Sequence, residues 1–504
     1  MVQNDFDSPP AQELDTFLPK ETLNGNGNFD IEMHCAKRRD FWISSASIVG
    51  TMSVEESENG EVRYKITPAK DTENGILSEF DPFKERQVEH PTTDRDTLMH
   101  LLKASLGTGI LAMPVAFANA GTVVGIFATI FTAIVCTHCA YVLVKCAHVL
   151  YKRTRKTQMT FAEVAENAFE NGPSWLRPFS KFSSMTILIS LFLTYFGTCS
   201  VYTVIIAANF NQVFEYYAGY EVNTQLAIAA LLIPLILLAW VPNLKYLAPV
   251  SAVANVFMAV GLGITFYYLV DDAPPVSDRP MAVEFMKIPS FFSIVIFAME
   301  AIGVVMPLEN AMKTPQNFIG LCGVLNQGMS GVTLVYILLG FLGYVKYGDA
   351  ALGSITLNLP VDQYAAQAVK LLIALAVYCT FGLQFFVCVE IGWNAIKDNF
   401  TKRPLLVNYV MRTVLVAGAV LLAIAVPTIA PFVGLIGALC FSILGLIMPV
   451  LIEFATYWDD GFGKFNWLVW KNLLLLAFGV FALIFGTKDA IRDILAVYSP
   501  PENQ

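Results

Sequence analysis

The amino-acid sequence predicts an all-α, multi-pass membrane protein with eleven transmembrane helices. Of its 504 residues, 55% are hydrophobic and 14% are charged, whereas a soluble domain has about 25% charged residues. A helix needs about 20 mostly apolar residues to cross a bilayer. Segments of this kind lie at 98–120, 122–150, 182–211, 225–242, 246–270, 289–309, 319–345, 367–396, 405–427, 430–454 and 465–487. This composition excludes an ordinary soluble enzyme, and the net charge of −9 argues against nucleic-acid binding.

The charge is concentrated in an N-terminal tail. Residues 1–97 hold 20 acidic and 10 basic residues, whereas the other 407 residues hold 21 and 22. The tail lacks an apolar run long enough for a span or a signal peptide. Its polar composition cannot bury enough surface to form a core, so it is expected to be mostly disordered. It is either a solvated leader or a docking arm for a cytosolic signalling partner.

Loop basicity predicts the orientation. The loops on the side of the N-terminal tail hold 12 Lys and Arg, and those on the opposite side hold 5. Because basic residues stay on the cytoplasmic side, the N-terminus is expected in the cytosol. The short tail 488–504 is then extracellular or lumenal, and the sequon Asn399–Thr401 lies inside, where it cannot be glycosylated.

The nine cysteines suggest neither a disulfide framework nor a metal site. All except Cys35 fall in apolar segments, where cysteine is typically a small core residue. Cys136 and Cys139 flank His138 in the manner of a metal-binding fragment, but no second pair of ligands accompanies them. We therefore expect no metal and no bound cofactor.

Two predicted spans are interrupted by helix-breaking residues. The first contains Gly107, Gly109 and Pro114, and the sixth contains Gly303 and Pro307. Because these spans are five apart, spans one to five (98–270) and six to ten (289–454) would form two repeats of opposite orientation, followed by an extra helix at 465–487. Matched broken helices indicate the binding site of a secondary transporter. The alternative is that these small residues serve helix packing.

The broken helices suggest a site for a zwitterion. Half-helix N-termini present free N–H groups to a carboxylate, and unwound carbonyl groups can accept from an ammonium. The candidate substrate-binding residues are Ser105, Gly107, Thr108, Gly109, Phe297, Ala301 and Gly303.

Two ionisable residues are candidates for proton coupling. Glu300 lies near the middle of span six, where burial favours the neutral carboxyl group and would let it bind and release a proton. His100 precedes the first break, and imidazole titrates in the physiological range. Each has a structural alternative: an interhelical hydrogen bond for Glu300 and ordinary packing for His100. His138 and His148 have no partner that the sequence identifies. No catalytic arrangement or nucleotide-binding loop is present, so an enzyme is not expected.

Three motifs together resemble the proton-coupled amino-acid transporters of the amino acid/auxin permease superfamily, and within them an insect branch. They are Leu98–Lys103 with Gly107–Pro114 and Asn119–Gly121, then Phe297–Gly303 with Met306–Met312, and Tyr347–Asp349 with Ile355–Pro360. The resemblance covers 98–487 and implies a LeuT-like fold, here a 5+5 inverted repeat plus one helix. It implies proton-driven import of small neutral amino acids (alanine, glycine or proline) into the cytosol. His100 matches the histidine to which the family's proton coupling is attributed.

Other functions stay open on the sequence alone. A sodium-coupled or facilitative carrier would use the same broken helices. A sensor at the lysosomal surface would bind an amino acid and signal through its tail. The expected location is the plasma membrane, the late endosome or the lysosome.

Two positions depart from the family pattern and alter the pocket wall. The chain has Ala104-Ser105 after Lys103, and it has Ala301 after Glu300.

Overall fold

The computed structural model describes residues 50–56, 62–68, 80–242, 244–299, 301–400 and 402–498, with the backbone alone at 50–56, 62–68, 244–249 and 251. The chain divides into two units, Met1–Ser78 and Glu79–Gln504. In the first unit, β1 (Gly50–Glu56) pairs antiparallel with β2 (Val62–Pro68). The sequence analysis did not predict this hairpin. Its strands are rich in the β-branched and aromatic residues that favour strands.

The described part of the second unit is built from α-helices and short 3₁₀ or π segments. The helices are α1 (Asp94–Ser105), α2 (Met113–Ala118), α3 (Thr122–Thr154), α4 (Phe161–Glu170), α5 (Ser180–Ala218), α6 (Thr224–Ala230), α7 (Leu232–Ala239), α8 (Leu244–Val270), α9 (Ile288–Met299), α10 (Ile302–Ala311), α11 (Val324–Tyr347), α12 (Tyr364–Ile396), α13 (Pro404–Ala425), α14 (Ile429–Ile436), α15 (Met448–Thr456), α16 (Trp467–Phe481) and α17 (Thr487–Tyr498).

The all-helical membrane architecture is confirmed, but the count of eleven spans is not. Nine helices in the described ranges are long and apolar enough to cross a membrane, and the bent pair Asp94–Ser105 and Thr108–Ala118 makes ten. The fourth predicted span corresponds to the apolar helix Thr224–Ala239, which is shorter than those nine. Its length is below the about 20 residues that a perpendicular crossing requires.

The membrane unit begins earlier than the sequence suggests. Helix α1 begins at Asp94 rather than at 98, because Thr93 and Asp96 form a capping box. The preceding residues 80–93, which the sequence analysis placed in the tail, pack on the helices. The sequence analysis also treated the segment between spans two and three as a loop. It contains α4, whose capping box joins Thr160 and Glu163.

The two histidines without identified partners both have acidic or basic neighbours far away in sequence. His148 Nε2 lies 3.0 Å from Glu309 Oε1. His138 Nε2 lies 3.2 Å from Lys471 Nζ, which in turn donates to Glu453 Oε2 at 2.7 Å. The local sequence could not identify these partners, because 161 and 333 residues separate them from the histidines.

Helices α5 and α12 run side by side through the core and stay unbroken for 39 and 33 residues. The buried Lys370 on α12 reinforces the pairing. Its ammonium donates to Gln212 Oε1 on α5 at 2.8 Å and to the Thr356 carbonyl oxygen at 2.6 Å. These two helices therefore form a continuous wall that lies opposite the two interruptions.

Candidate functional site

The first predicted interruption is present. Helix α1 ends at Ser105, and a 3₁₀ segment, Thr108–Ala112, leads into α2. The two halves are bent by 43°. At the break, the Gly107 amide donates to the Ser105 carbonyl oxygen at 2.8 Å, and the buried Tyr336 hydroxyl donates to the same oxygen. The break therefore has a defined conformation.

The second predicted interruption is present as well. Helix α9 ends at Met299 and α10 begins at Ile302, with Ala301 as its N-cap at φ −119° and ψ 2°. The candidate Glu300 lies in this gap and outside the described residues.

Both breaks line one cavity of about 100 Å³. Its walls include all seven candidate substrate-binding residues: Ser105, Gly107, Thr108, Gly109, Phe297, Ala301 and Gly303. The structure thus brings together residues from two segments that lie almost 200 positions apart in the chain.

Two of the glycines allow helices to approach closely. A Cβ atom on Gly109 would lie 2.6 Å from the Ala298 Cα atom, so only glycine lets the first break pack on α9. A Cβ atom on Gly303 would lie 2.7 Å from the Tyr195 hydroxyl oxygen of α5. At both positions, an added methyl group would collide with the neighbouring helix at its present distance.

The polar groups of the cavity are neutral. Ser105 is 2% exposed, and its hydroxyl has no hydrogen-bond partner among the described residues. The Tyr202 hydroxyl lies beside Thr108 and Gln384. Within the described ranges, no Asp, Glu, Lys, Arg or His lines the cavity. The cavity can therefore form hydrogen bonds but offers no charged side chain from its described lining.

The wall that faces the breaks was missed by the sequence analysis. It consists of Leu191, Thr194, Tyr195, Thr198, Tyr202, Gln384, Phe441 and Leu444. A signal was present, because Thr194, Thr198 and Tyr202 recur every fourth residue, which places them on one helix face. Gln384 is the one described lining residue that comes from α12, so no comparable spacing pattern pointed to it.

His100 lies on α1, five residues before Ser105. Its side chain is exposed, and it is not among the residues that line the cavity. A separation of five residues corresponds to about 7.5 Å along a helix axis. The structure therefore places this candidate near the cavity but not in its wall.

Cys136 and Cys139 lie one helical turn apart on α3. Cys136 and Cys139 are buried. Across the described residues, no group of three or more His, Cys, Asp or Glu side chains is arranged to hold a metal ion.

The chain is similar to known transporters over most of its length. Residues 90–492 match the family described as "Transmembrane amino acid transporter protein". The chain is 65% identical over 446 residues to "Proton-coupled amino acid transporter-like protein pathetic" of Drosophila melanogaster, covering 88% of this chain and 94% of the relative. It is 23% identical over 464 residues to "Probable amino acid transporter skat-1" of Caenorhabditis elegans, covering 90% and 100%.

Among solved structures, the chain resembles Mhp1, a nucleobase-cation-symport-1 family transporter, in a closed conformation with bromovinylhydantoin bound. The TM-score is 0.47 and the identity 15%, over 84% of this chain and 96% of that one. The family match and the identity to the fly relative carry the assignment. This chain belongs to the transmembrane amino acid transporter protein family, and it is a multi-pass membrane transporter rather than an enzyme.

Proposed function

We propose that this protein is a secondary active transporter that moves small neutral amino acids into the cytosol together with protons, by alternating access. The observation that carries the proposal is that two interrupted helices meet at one small cavity. Matched broken helices are typical of the substrate site of secondary transporters. The printed name of the fly relative, which includes "proton-coupled", supports the choice of ion.

The ends of the half-helices suit the two charges of an amino acid. The segment that begins at Thr108 and the helix that begins at Ile302 each start with backbone N–H groups at the positive end of the helix dipole. These groups favour a carboxylate. The last carbonyl groups of α9, near Phe297, are acceptors for an ammonium group. The unpartnered Ser105 hydroxyl supplies one more hydrogen bond.

The size and polarity of the cavity favour a small, neutral side chain. The volume of about 100 Å³ is below the range of about 300–1,000 Å³ for sites that hold drug-sized ligands. A charged substrate side chain would lose its hydration and find no opposite charge in the described lining. Alanine, glycine and proline fit these conditions.

We assign substrate binding to Ser105, Gly107, Thr108, Gly109, Phe297, Ala301 and Gly303, and proton coupling to His100 and Glu300. The first group lines the cavity. Glu300 is supported by its position in the sequence between α9 and α10. His100 is supported by its match to the family motif and by its exposure, which lets it exchange protons.

We further propose that the N-terminus is cytoplasmic and that the protein resides in the plasma membrane or the endolysosomal membrane. The distribution of basic residues between the loops supports the orientation. Protease protection of epitopes placed at residue 2 and after residue 504 tests it. Cleavage of the C-terminal epitope alone in intact cells or right-side-out vesicles is expected, and cleavage of the N-terminal one would contradict it.

Uptake into proteoliposomes tests the function. Purified full-length protein should accumulate radiolabelled alanine when the outside is acidic, and more slowly when both sides have equal pH. Arginine and glutamate should compete weakly. Accumulation that requires sodium and ignores the proton gradient would overturn the coupling and leave a sodium-driven carrier. Equilibration without accumulation would leave a facilitative one.

The two proton-coupling residues need their own test. Substrate-evoked currents at about pH 5.5 and about pH 7.5, on either side of the usual imidazole range, are compared for His100→Ala and Glu300→Gln. Matched controls are His90→Ala and Glu390→Gln, which alter exposed residues of the same types outside the cavity wall. Both test variants should lose the increase in current at low pH, and both controls should keep it. Unchanged currents in the test variants would remove these residues from the coupling mechanism.

A further inference from the structure

A segment that precedes the first helix is fastened to the ends of other helices. We call residues 80–93 the strap. Its Arg86 has a side chain that is 2% exposed. The guanidinium group donates to the Thr157 carbonyl oxygen at 2.8 Å, to the Glu309 carbonyl oxygen at 3.1 Å and to Glu309 Oε1 at 3.2 Å. A buried arginine with three such acceptors is held in one position.

Glu309, whose carboxylate accepts from Arg86, is the most deeply buried acidic residue of the described chain. The Glu309 side chain, at the end of α10, is fully buried. Besides Arg86, it is met by two side chains of α3: Tyr151 donates to Oε2 at 2.9 Å, and His148 Nε2 lies 3.0 Å from Oε1. Phe83 of the strap packs edge-on against the ring of His148, with centroids 5.0 Å apart. One carboxylate therefore joins the strap, α3 and α10.

A second attachment lies six residues further on. Thr92 and Met312 form a parallel bridge, in which the Thr92 amide donates to the Ala311 carbonyl oxygen at 2.8 Å and the Lys313 amide donates to the Thr92 carbonyl oxygen at 2.9 Å. Asp94 then accepts from the Thr314 hydroxyl at 2.7 Å and from the Asn317 amide at 2.8 Å. The strap is thus bonded to the chain that leaves α10, immediately before it becomes α1.

These contacts connect helices that lie on the same side of the cavity as the two breaks. They involve α1, α3, α10 and the segments next to them, and the hydrogen bonds recorded for the described strap residues include none to α5 or α12. Helices α1 and α10 are the two half-helices on this side, and each is separated from its other half by a break. α1 and α10 also contact each other and pack on α11 and α3, respectively. The strap adds hydrogen bonds that span both half-helices.

We propose that the strap, through Arg86, clamps α1 and α10 to α3, so that the two half-helices move as one body when the cavity opens and closes. Arg86 is then a positioning residue for transport. The joint movement during opening and closing rests on the proposed function. The clamp itself is a mechanical property that is measurable without substrate.

Hydrogen–deuterium exchange in lipid nanodiscs tests the clamp. Arg86→Gln leaves the Glu309 carboxylate without its main partner and should raise the exchange rates of α1 and α10 together, by about tenfold. The matched control is Arg95→Gln, which alters an exposed arginine of α1. A rise confined to residues 80–93, or a rise of equal size in the control, would overturn the clamp. This measurement needs no transport activity.

A disulfide tests whether the clamp persists through the transport cycle. Bridged neighbours lie about 4.8 Å apart, within the Cα separation of about 4.4–6.8 Å that a disulfide accepts, so Thr92→Cys with Met312→Cys should crosslink. Cys35 and Cys322 are replaced by serine in this background, and each single cysteine variant is a control. If the half-helices and strap move together, the oxidised protein should keep the alanine uptake of the reduced protein. Loss of uptake on oxidation, restored by reductant, would show that this contact must open in every cycle.

A rescue experiment distinguishes a positioning role of Arg86 in transport from a role in folding. Arg86→Gln alone should slow uptake, and the disulfide should restore it when added to that variant, because it replaces the lost attachment. Reduction should remove the rescue. If the crosslinked Arg86→Gln protein stays slow although it is monodisperse, the clamp does not act through α1 and α10. Failure of the unmodified protein to take up alanine would instead count against the proposed function, while the exchange measurement still decides the clamp.

Discussion

The hydroxyl group of Tyr336 on α11 donates a hydrogen bond to the carbonyl oxygen of Ser105, the last residue of α1. Tyr336 is fully buried. The bond therefore connects an unbroken helix to the point at which the first interrupted helix stops, and it orients a carbonyl group at the rim of the cavity.

Tyr336→Phe should weaken substrate binding without preventing folding. Loss of one hydrogen bond costs about 0.5–1.5 kcal/mol, so the KM for alanine should rise about two- to tenfold if the orientation of this carbonyl group matters for binding. Tyr364→Phe alters a tyrosine that is 83% exposed and should leave the KM unchanged. Equal KM values in the two variants would show that the bond serves stability alone.

Ser105→Ala should lower affinity while sparing the stability of the empty protein. The hydroxyl has no partner within the described chain, so its removal leaves no broken bond behind. If it contacts the substrate, its loss should raise the KM about fivefold, corresponding to about 1 kcal/mol. The Tm without substrate should stay the same or rise.

A second serine provides the contrast for this test. Ser200 is also buried, but its hydroxyl donates to the Phe196 carbonyl oxygen at 3.2 Å. Ser200→Ala should therefore lower the Tm and leave the KM unchanged. The opposite pattern in the two variants would argue against Ser105 as a substrate contact.

Gly109→Ala should destabilise the protein and stop transport. The added methyl group would lie 2.6 Å from the Ala298 Cα atom, and relief requires that two backbone segments move apart. Overpacking of this kind costs about 1–3 kcal/mol. Gly263→Ala is the matched control, because its methyl group meets nothing within 4 Å. Thermal unfolding in detergent should show a lower Tm for the first variant only.

Glu453 and Lys471 should contribute to the stability of the protein as a pair. The glutamate side chain is 3% exposed and the lysine 18%. Lys471→Met leaves a buried carboxylate without compensation, which costs about 3–5 kcal/mol. The double variant Lys471→Met with Glu453→Leu removes both charges and should recover most of the lost stability. Additive losses in Tm would show that the two residues act independently.

The interruptions in the first and sixth spans were predictable because glycine and proline act locally. A run such as Gly107 to Gly109 weakens a helix whatever surrounds it. The structure shows a 43° bend at the first break and a non-helical Ala301 at the second. The cavity residues carried by these breaks were predictable for the same reason. The wall that faces them was not predicted, because Tyr195 and Gln384 sit in regular helices, and only the packing of α5 and α12 decides which side they face.

The strap shows where composition is misleading. Residues 80–93 are polar and charged, and by composition alone such a segment is expected to be solvated. The side chain of Arg86 is nevertheless buried, because Glu309 compensates its charge. A partner that lies 223 residues away leaves no trace in the local sequence. The same reason explains why His148 had no identifiable partner.

The continuous wall of α5 and α12 faces a wall that is interrupted twice. Under the proposed alternating access, a ligand that touches both walls binds the open and closed arrangements with different strengths. Its apparent dissociation constant is then the intrinsic constant divided by the fraction of molecules in the competent arrangement. A substitution that shifts this fraction about tenfold changes the apparent affinity about tenfold without touching the ligand. Affinity in this transporter therefore reports the population of a conformation as well as the contacts within it.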